Sequence, residues 1–242
     1  MKTKNTILIY LSIVVGFISI ITNSCKKEDN DDNSSRPITD KDGNVYTSVT
    51  IGTQTWMVEN LKTTKYNDGT PIPNVTAAST WEALTTGSYS DYNNTTSNST
   101  TYGRLYNWYA ADNNAATKMA SNGGKNVCPT GWHVPTDAEW TTLITFLGGE
   151  NVAGGKLKES GSIHWTTPNT GGTNEAGFTA LPGGYRYANG IFNSIGSFGY
   201  WLSSTEHSST NIYNRYIFNG YGIVYKSSFD KRFGFSIRCL RD

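Results

Sequence analysis

The segment from Cys128 to Trp140 constrains the fold most, because it shows both where a helix begins and which of its sides is buried. Thr136 and Glu139 have the spacing of a capping box, in which each side chain accepts a backbone N–H of the other residue. From Trp140 onward, apolar residues recur at the i, i+3, i+4 and i+7 spacing of one helix face. The sequence therefore predicts an amphipathic helix that covers an apolar core.

Two further helices and several short strands are expected around this helix. Residues 152–159 predict a second helix, and the spacing of Leu105, Trp108 and Tyr109 predicts a short buried one. Branched and aromatic residues predict strands at 45–51, 54–58, 199–204, 213–218, 222–225 and 234–240. Asp-Gly at 42–43 and Asn-Gly at 219–220 are typical of hairpin turns. Residues 59–100, rich in turn formers, are expected to be a functional or a disordered loop.

Residues 1–24 have the features of a targeting segment. Lys2 and Lys4 precede an uncharged, mostly apolar run over residues 7–21, which is shorter than the roughly 20 residues that a bilayer span requires. A short apolar run behind a basic start is typical of a secretory signal. The run ends in small or polar residues and then Cys25, which resembles a bacterial lipoprotein signal, whose cysteine becomes the acylated first residue. The alternative is an uncleaved membrane anchor with an incidental cysteine.

Residues 25–37 are the expected tether between this anchor and a single folded domain over residues 38–242. The stretch 26–35 contains no apolar residue, so it cannot pack and is expected to be disordered. Lysine followed by several acidic residues directly after Cys25 resembles the surface-export signal of lipoproteins in the Bacteroidetes. The alternative is a plain linker.

The charge balance argues against a polyanionic partner. The whole chain has a formal net charge of +1, and residues 1–37 hold five basic and four acidic side chains, so the domain from residue 38 is formally neutral. A neutral domain has no electrostatic footprint for nucleic acid. Charged residues make up only 16% of the chain and aromatic residues 13%, which suggests a loop-rich domain outside the cytoplasm.

Cys128 and Cys239 remain as a pair if Cys25 is acylated. An even pair of cysteines in an exported protein favours a disulfide, which here would tie the middle of the domain to its last strand. The alternative is two buried free thiols. Neither cysteine has a second cysteine or a histidine at the spacing of metal ligands, which argues against zinc.

Short motifs spread over the domain carry a family resemblance. The motifs are Asp-Gly-Asn-Val-Tyr (42–46), Ile-Gly-Thr-Gln-Thr-Trp-Met-Val-Glu-Asn-Leu (51–61), Tyr-Asn-Asp-Gly (66–69), Tyr-Gly-Arg-Leu-Tyr-Asn-Trp (102–108), Cys-Pro-Thr-Gly-Trp-His-Val-Pro (128–135), Phe-Thr-Ala-Leu-Pro-Gly-Gly (178–184), Tyr-Trp-Leu-Ser-Ser (200–204) and Ile-Arg-Cys (237–239). Together they resemble the family named Fibrobacter succinogenes major paralogous domain, over nearly the whole chain after the tether. The resemblance implies an exported bacterial protein, often a lipoprotein, without an established biochemical activity.

Two stretches are also similar, more distantly, to the formylglycine-generating-enzyme branch of the C-type-lectin-like fold. Residues 134–140 and 234–239 resemble that superfamily's Leu-Pro-Thr-Glu-Ala-Glu-Trp and Gly-Phe-Arg-Cys motifs. The similarity implies an irregular, loop-rich, C-type-lectin-like α+β domain with short antiparallel strands and two or three helices. It does not carry over the activity, because the chain has no cysteine between Cys128 and Cys239 to form the enzyme's reactive pair. The two cysteines match structural positions instead.

Six residues are the candidate ligand contacts, near the Gly-rich segments at which such folds place binding loops. They are Tyr185, Arg186, Tyr187, Trp201, Glu206 and His207. Aromatic rings suit sugars because a flat ring matches the C–H face of a pyranose. The strand and helix positions of four other tryptophans indicate core residues instead, and these are Trp56, Trp108, Trp132 and Trp140.

The sequence contains no convincing catalytic constellation. The glycosidase-like carboxylate pairs that can be named are Glu159 with Glu175 and Glu206 with Asp230, although any chain offers such pairs. Ser203 and Ser204 lie near His207 without a nucleophile elbow. The histidines lack metal-ligand spacing, and no phosphate-binding loop opens a helix. We therefore expect no cofactor, no metal and no catalytic residue.

These features predict a lipid-anchored module of the outer membrane, facing the cell exterior, that binds a glycan or a surface protein without catalysis. The alternatives are a surface polysaccharide hydrolase with a carboxylate pair, and a structural envelope protein. The ligand and the oligomeric state are not specified by the sequence.

Overall fold

The computed structural model describes residues 37–112 and 122–242. The predicted signal segment, Cys25 and the acidic stretch after it lie outside the described residues. Pro37–Asp242 group into one compact unit, which contains two apolar cores and a disulfide of its own. We therefore expect this part of the chain to fold independently. Within the described ranges, no helix combines the length and the apolar character that crossing a membrane requires.

Short strands and short helices alternate along the described chain. The elements are β1 (Ile38–Thr39), β2 (Val45–Tyr46), β3 (Ser48–Ile51), β4 (Gln54–Met57), α1 (Ala78–Glu82), β5 (Tyr89–Ser90), a 3-10 turn (Tyr92–Asn94), α2 (Thr96–Tyr102), β6 (Leu105–Tyr106), α3 (Trp108–Ala111), β7 (Trp132–His133), α4 (Asp137–Phe146), α5 (Glu150–Leu157), β8 (Tyr185–Arg186), β9 (Phe192–Asn193), β10 (Phe198–Glu206), β11 (Asn211–Phe218), β12 (Val224–Asp230) and β13 (Leu240–Arg241). The paired strands are antiparallel. This confirms the predicted loop-rich α+β class, with five α-helices among the described residues instead of two or three.

The capping box begins α4 as predicted. The Thr136 hydroxyl accepts from the backbone N–H of Glu139 at 3.2 Å, and the Glu139 carboxylate accepts from the backbone N–H of Thr136 at 2.8 Å. The second predicted helix is α5, displaced by two residues toward the N-terminus. The predicted helix at 105–109 is wrong in its first half, because Leu105 pairs with Ser90 in the β5–β6 ladder.

The three longest strands form one sheet in the order β10–β11–β12. Because side chains alternate along a strand, this sheet has two different faces. The first face carries Trp201, Ile217 and Val224, which are buried in one core with Trp140 of α4. The opposite face carries Tyr200, Leu202 and Ile212 at the edge of the second core. The four tryptophans that the sequence assigns to the core, Trp56, Trp108, Trp132 and Trp140, are all buried.

A second sheet, in the order β3–β4–β13–β7, holds β13 against the β3–β4 hairpin. Cys128 and Cys239 form a disulfide across 111 residues, as predicted. The regular terminal strand expected at 234–240 is wrong. Gly234, Phe235 and Ser236 form single bridges to three different segments instead, because this stretch passes between several small sheets.

Two buried cations tie the loops to these sheets through carbonyl oxygens. The Lys158 ammonium donates to the carbonyls of Thr170 at 2.8 Å and Tyr221 at 3.0 Å. Arg238 donates to Asn60 Oδ1 at 2.9 Å and also to backbone carbonyls. Both side chains are fully buried, and burial lowers the pKa of Lys158 to about 8 and that of Arg238 to about 9. Loops without regular hydrogen bonding are thereby held in place.

Candidate functional site

An aromatic surface lies on the face of the β10–β11–β12 sheet opposite to the one that α4 covers, beside the core that buries Leu202 and Ile212 on this same face. We call it the aromatic face, and its members are Tyr185, Tyr187, Phe198, Tyr200, Tyr216, Phe218, Tyr221, Tyr225, Phe229 and Phe233. Tyr200 is buried at its centre, Tyr221 is 55% exposed at its border, and the other rings are half-buried. Large aromatic rings that stay partly exposed in a continuous patch are typical of an interaction surface.

Strand register builds the central part of this face. Phe198 lies opposite Phe218, and Tyr216 lies between Tyr200 and Tyr225. The ring centroids are 4.6 Å apart in the Phe198–Phe218 pair, 4.9 Å for Tyr200–Tyr216 and 4.8 Å for Tyr216–Tyr225. The planes of these pairs lie within 28° of parallel. Cross-strand stacking therefore holds each ring in one orientation.

Residues far from the sheet in sequence extend the aromatic face. The Tyr185 ring lies 4.8 Å from both Tyr187 and Tyr200. Phe233 lies 5.6 Å from Tyr187 and 5.0 Å from Phe229. The Tyr185 hydroxyl donates to the Tyr187 hydroxyl at 2.7 Å. A loop and the chain after β12 thus complete a surface that no single segment contains.

The aromatic face is electrically neutral. Burial raises the pKa of the Tyr185, Tyr200 and Tyr216 hydroxyls, so these phenols stay protonated. The charged residues that flank Phe229 and Phe233 in the chain include Asp230 and Arg232, whose side chains pair at 2.7 Å. A surface of this kind suits an uncharged ligand that offers C–H groups to the rings and hydroxyls to the phenols.

Five of the six predicted contacts divide between three places. Tyr185 and Tyr187 lie on the aromatic face. Trp201 is 1% exposed on the opposite face of β10, where its indole N–H donates to Asn60 Oδ1 at 2.9 Å. Glu206 and His207 are exposed at the far end of β10, and Glu206 pairs with Lys231. These positions follow from strand alternation, which sends every second side chain of β10 to the interior.

Arg186, the sixth candidate, is a structural residue. Its side chain is 0% exposed and its guanidinium lies between the Trp81 and Phe192 rings, at 4.3 and 4.6 Å from their centroids. It donates to the carbonyls of Val75, Thr76 and Gly190. Burial lowers its pKa to about 10. No part of Arg186 is accessible to a ligand in this structure.

Most members of the aromatic face are not among the six predicted contacts, because those contacts were chosen near Gly-rich loops. The sequence does carry a signal for them, namely aromatic residues at alternate positions of predicted strands, such as Phe198 with Tyr200 and Tyr216 with Phe218. Alternation shows that such residues share a face. It does not show how much of this face stays exposed, because only the folded chain places α3 over one part of it and α4 and α5 over the other face.

The carboxylates considered for hydrolysis each contact a different basic residue. His164 lies 2.9 Å from Glu159, and Lys156 lies 3.5 Å from Glu175. The hydrogen bond from Arg232 lowers the pKa of Asp230, whereas the general acid of a glycosidase has a raised pKa. In residues 37–112 and 122–242, no group of three or more His, Cys, Asp or Glu side chains is placed to hold a metal ion.

Comparison with known proteins gives one match. The model of the family described as Fibrobacter succinogenes major domain matches residues 49–241, which include the aromatic face, the disulfide and α4. No curated protein and no solved structure matches the chain.

Proposed function

We propose that this chain, which belongs to the Fibrobacter succinogenes major domain family, is a non-catalytic module that binds a neutral glycan through its aromatic face. The observation that carries the proposal is the set of ten clustered rings on the open side of the β10–β11–β12 sheet. A ligand that covers these partly exposed rings would remove their apolar surface from contact with water, which favours binding.

The fixed orientation of the rings supports a binding role. Stacked rings such as Tyr216 on Tyr225, at 4.8 Å and 12° between planes, lose little conformational entropy when a ligand binds. Preorganised side chains raise affinity because the cost of ordering them is already met in the free protein. The phenol hydroxyls can donate to and accept from sugar hydroxyls.

The chemistry of the face favours a glycan over a charged partner. The raised pKa keeps the hydroxyls of Tyr185, Tyr200 and Tyr216 protonated. Lys226, in β12, points to the opposite side of the sheet, where it pairs with Asp137 at 2.7 Å. A neutral polysaccharide offers C–H faces and hydroxyls in alternation, which matches rings bordered by phenols. None of the ten residues that form the aromatic face carries a positive charge to attract an acidic polymer.

We further propose that the module is anchored to the outer membrane by acylation of Cys25 and faces the cell exterior. The short apolar run before this cysteine and the polar stretch after it support the anchor. Metabolic labelling with a radioactive fatty acid should label the wild-type chain and not Cys25→Ala. Protease added to intact cells should then remove the domain if it faces outward.

A glycan array followed by titration calorimetry tests the binding proposal. Tyr187→Ala and Tyr216→Ala should each weaken binding of a glycan hit by about 3- to 10-fold, the range expected for loss of one aromatic contact. Tyr213→Ala is the matched control, because Tyr213 lies in the same strand as Tyr216 but on the opposite face, and it should bind like the wild type.

Three outcomes would contradict the proposal. The first is an array without any hit for folded protein. The second is equal weakening by Tyr216→Ala and Tyr213→Ala, which would place the ligand elsewhere. The third is release of sugars from a polysaccharide by the wild-type chain, which would favour a hydrolase.

A further inference from the structure

Among the described residues, nothing pairs with the outer backbone edge of β12 from Val224 to Ser228. The strand β12 is the terminal strand of the β10–β11–β12 sheet. The N–H of Lys231 donates to the carbonyl of Thr210 at 2.9 Å, which identifies Asn211 and Asp230 as a non-hydrogen-bonded pair. Hydrogen-bonded and non-hydrogen-bonded pairs alternate along an antiparallel ladder. It follows that Val224, Lys226 and Ser228 direct their backbone groups away from β11.

These outward groups are open for pairing. No backbone or side-chain hydrogen bond from the described residues reaches the N–H or C=O of Val224, Lys226 or Ser228. The β11–β12 register runs without a bulge, and β12 contains no proline. A regular, unpaired strand edge is a template for another strand.

Lys226 does not protect this edge. It is the only charged residue in 224–229, and charged side chains commonly block pairing at strand edges. Its ammonium is held 2.7 Å from Asp137 and lies 4.0 Å from the centroid of the Tyr213 ring. The ammonium therefore lies above the α4 face of the sheet, outside the plane in which the backbone of a second strand would pair.

We propose that two copies of this chain pair through β12, antiparallel, about a two-fold axis at Ser227. In this register Lys226 forms a hydrogen-bonded pair with the partner's Ser228, and the symmetric pair gives four intermolecular backbone hydrogen bonds in total. Tyr225 lies opposite the partner's Phe229, so aromatic cross-strand pairs form on the open side of the sheet.

The two registers shifted by one residue are less favourable. An axis at Lys226 places this lysine opposite the partner's Lys226, and like charges directly opposite each other destabilise a strand pair. An axis at Ser228 places Phe229 opposite the partner's Ser227 and loses the aromatic pairs. The register at Ser227 avoids both defects.

The dimer has a consequence that rests on the proposed function. Pairing through β12 joins two three-stranded sheets into one, and the two aromatic faces then form one continuous surface. A long polysaccharide could contact both faces at once, which raises its apparent affinity by multivalency. A single strand pair buries a small area, so the isolated domain should dimerise weakly and reversibly.

Sedimentation equilibrium of residues 37–242 over a wide concentration range tests the pairing. Ser228→Asp places a carboxylate opposite the partner's Lys226 twice in each dimer, and it should tighten the dissociation constant by about 2- to 30-fold at low salt. Ser228→Lys places like charges opposite each other and should weaken it by a similar factor. The matched controls are Ser209→Asp and Ser209→Lys in the exposed loop before β11, which should leave the equilibrium unchanged.

A second variant tests the backbone directly. Ser228→Pro removes an outward N–H and leaves the ladder to β11 complete, so it should be monomeric while its circular dichroism matches the wild type. The inference is overturned if the wild type and Ser228→Asp are both monomeric at millimolar concentration. It is also overturned if the two charge variants shift the equilibrium in the same direction. Neither result depends on glycan binding, which is measured separately.

Discussion

Breaking the Cys128–Cys239 disulfide should remove about 4–5 kcal/mol of stability. The bond closes a loop with a sequence separation of 111 residues. A cross-link over a loop of this length reduces the conformational entropy of the unfolded chain, which raises its free energy by about 4–5 kcal/mol at 25 °C. Single domains are stable by only about 5–15 kcal/mol in total. The reduced domain should therefore be close to unfolding at physiological temperature.

The assay is urea denaturation of the oxidised wild type, the reduced wild type and the double variant Cys128→Ala/Cys239→Ala. Oxidised and reduced wild type have the same side chains, so their difference isolates the cross-link. Both cysteines are fully buried, and the double variant should lose further stability because it also removes two packed sulfur atoms. A reduced wild type within about 1 kcal/mol of the oxidised form would refute the entropic argument for this loop.

Two pH-dependent predictions follow from buried or bridged groups. The hydrogen bond to Glu139, followed by that to Asp242, raises the pKa of His133 from its ordinary 6.5, whereas the same contact with His133 lowers the pKa of Glu139 from 4.5 despite its burial. The wild type should therefore exceed His133→Gln in stability by the largest margin between pH 4.5 and 6.5. This margin should fall as pH rises through the raised pKa of His133, and it should fall again in acid as Glu139 is protonated. Urea midpoints of the two proteins that change in parallel with pH would contradict the prediction. Lys158→Met should cost about 1–3 kcal/mol at pH 7, because it leaves buried carbonyls such as that of Thr170 unpaired. Burial lowers the pKa of Lys158 from 10.5 to about 8, so between these pH values the unfolded chain binds one more proton at this residue than the folded chain. The stability of the wild type relative to Lys158→Met should therefore rise with pH in this window. Thermal unfolding of both proteins at pH 7 and pH 10 measures the difference.

The sequence alone determined the features that depend on near neighbours in the chain. The capping box of Thr136 and Glu139 specifies the start of α4, because it needs only residues three apart. The strands around Tyr200 and Tyr216 follow from local propensity in the same way. The pairing of Cys128 with Cys239 was also predictable, because the expectation that Cys25 is acylated leaves each of these cysteines one partner.

Only the tertiary structure decided which of these local features form a surface. Tyr185 and Trp201 have similar sequence surroundings, yet one lies on the aromatic face and the other is buried beside Asn60. The predicted strand at 234–240 is divided among several sheets, and Arg186 is enclosed by residues more than 100 positions away. Which face of a strand is covered depends on long-range packing of helices and loops, and that packing energy is not contained in any local stretch of sequence.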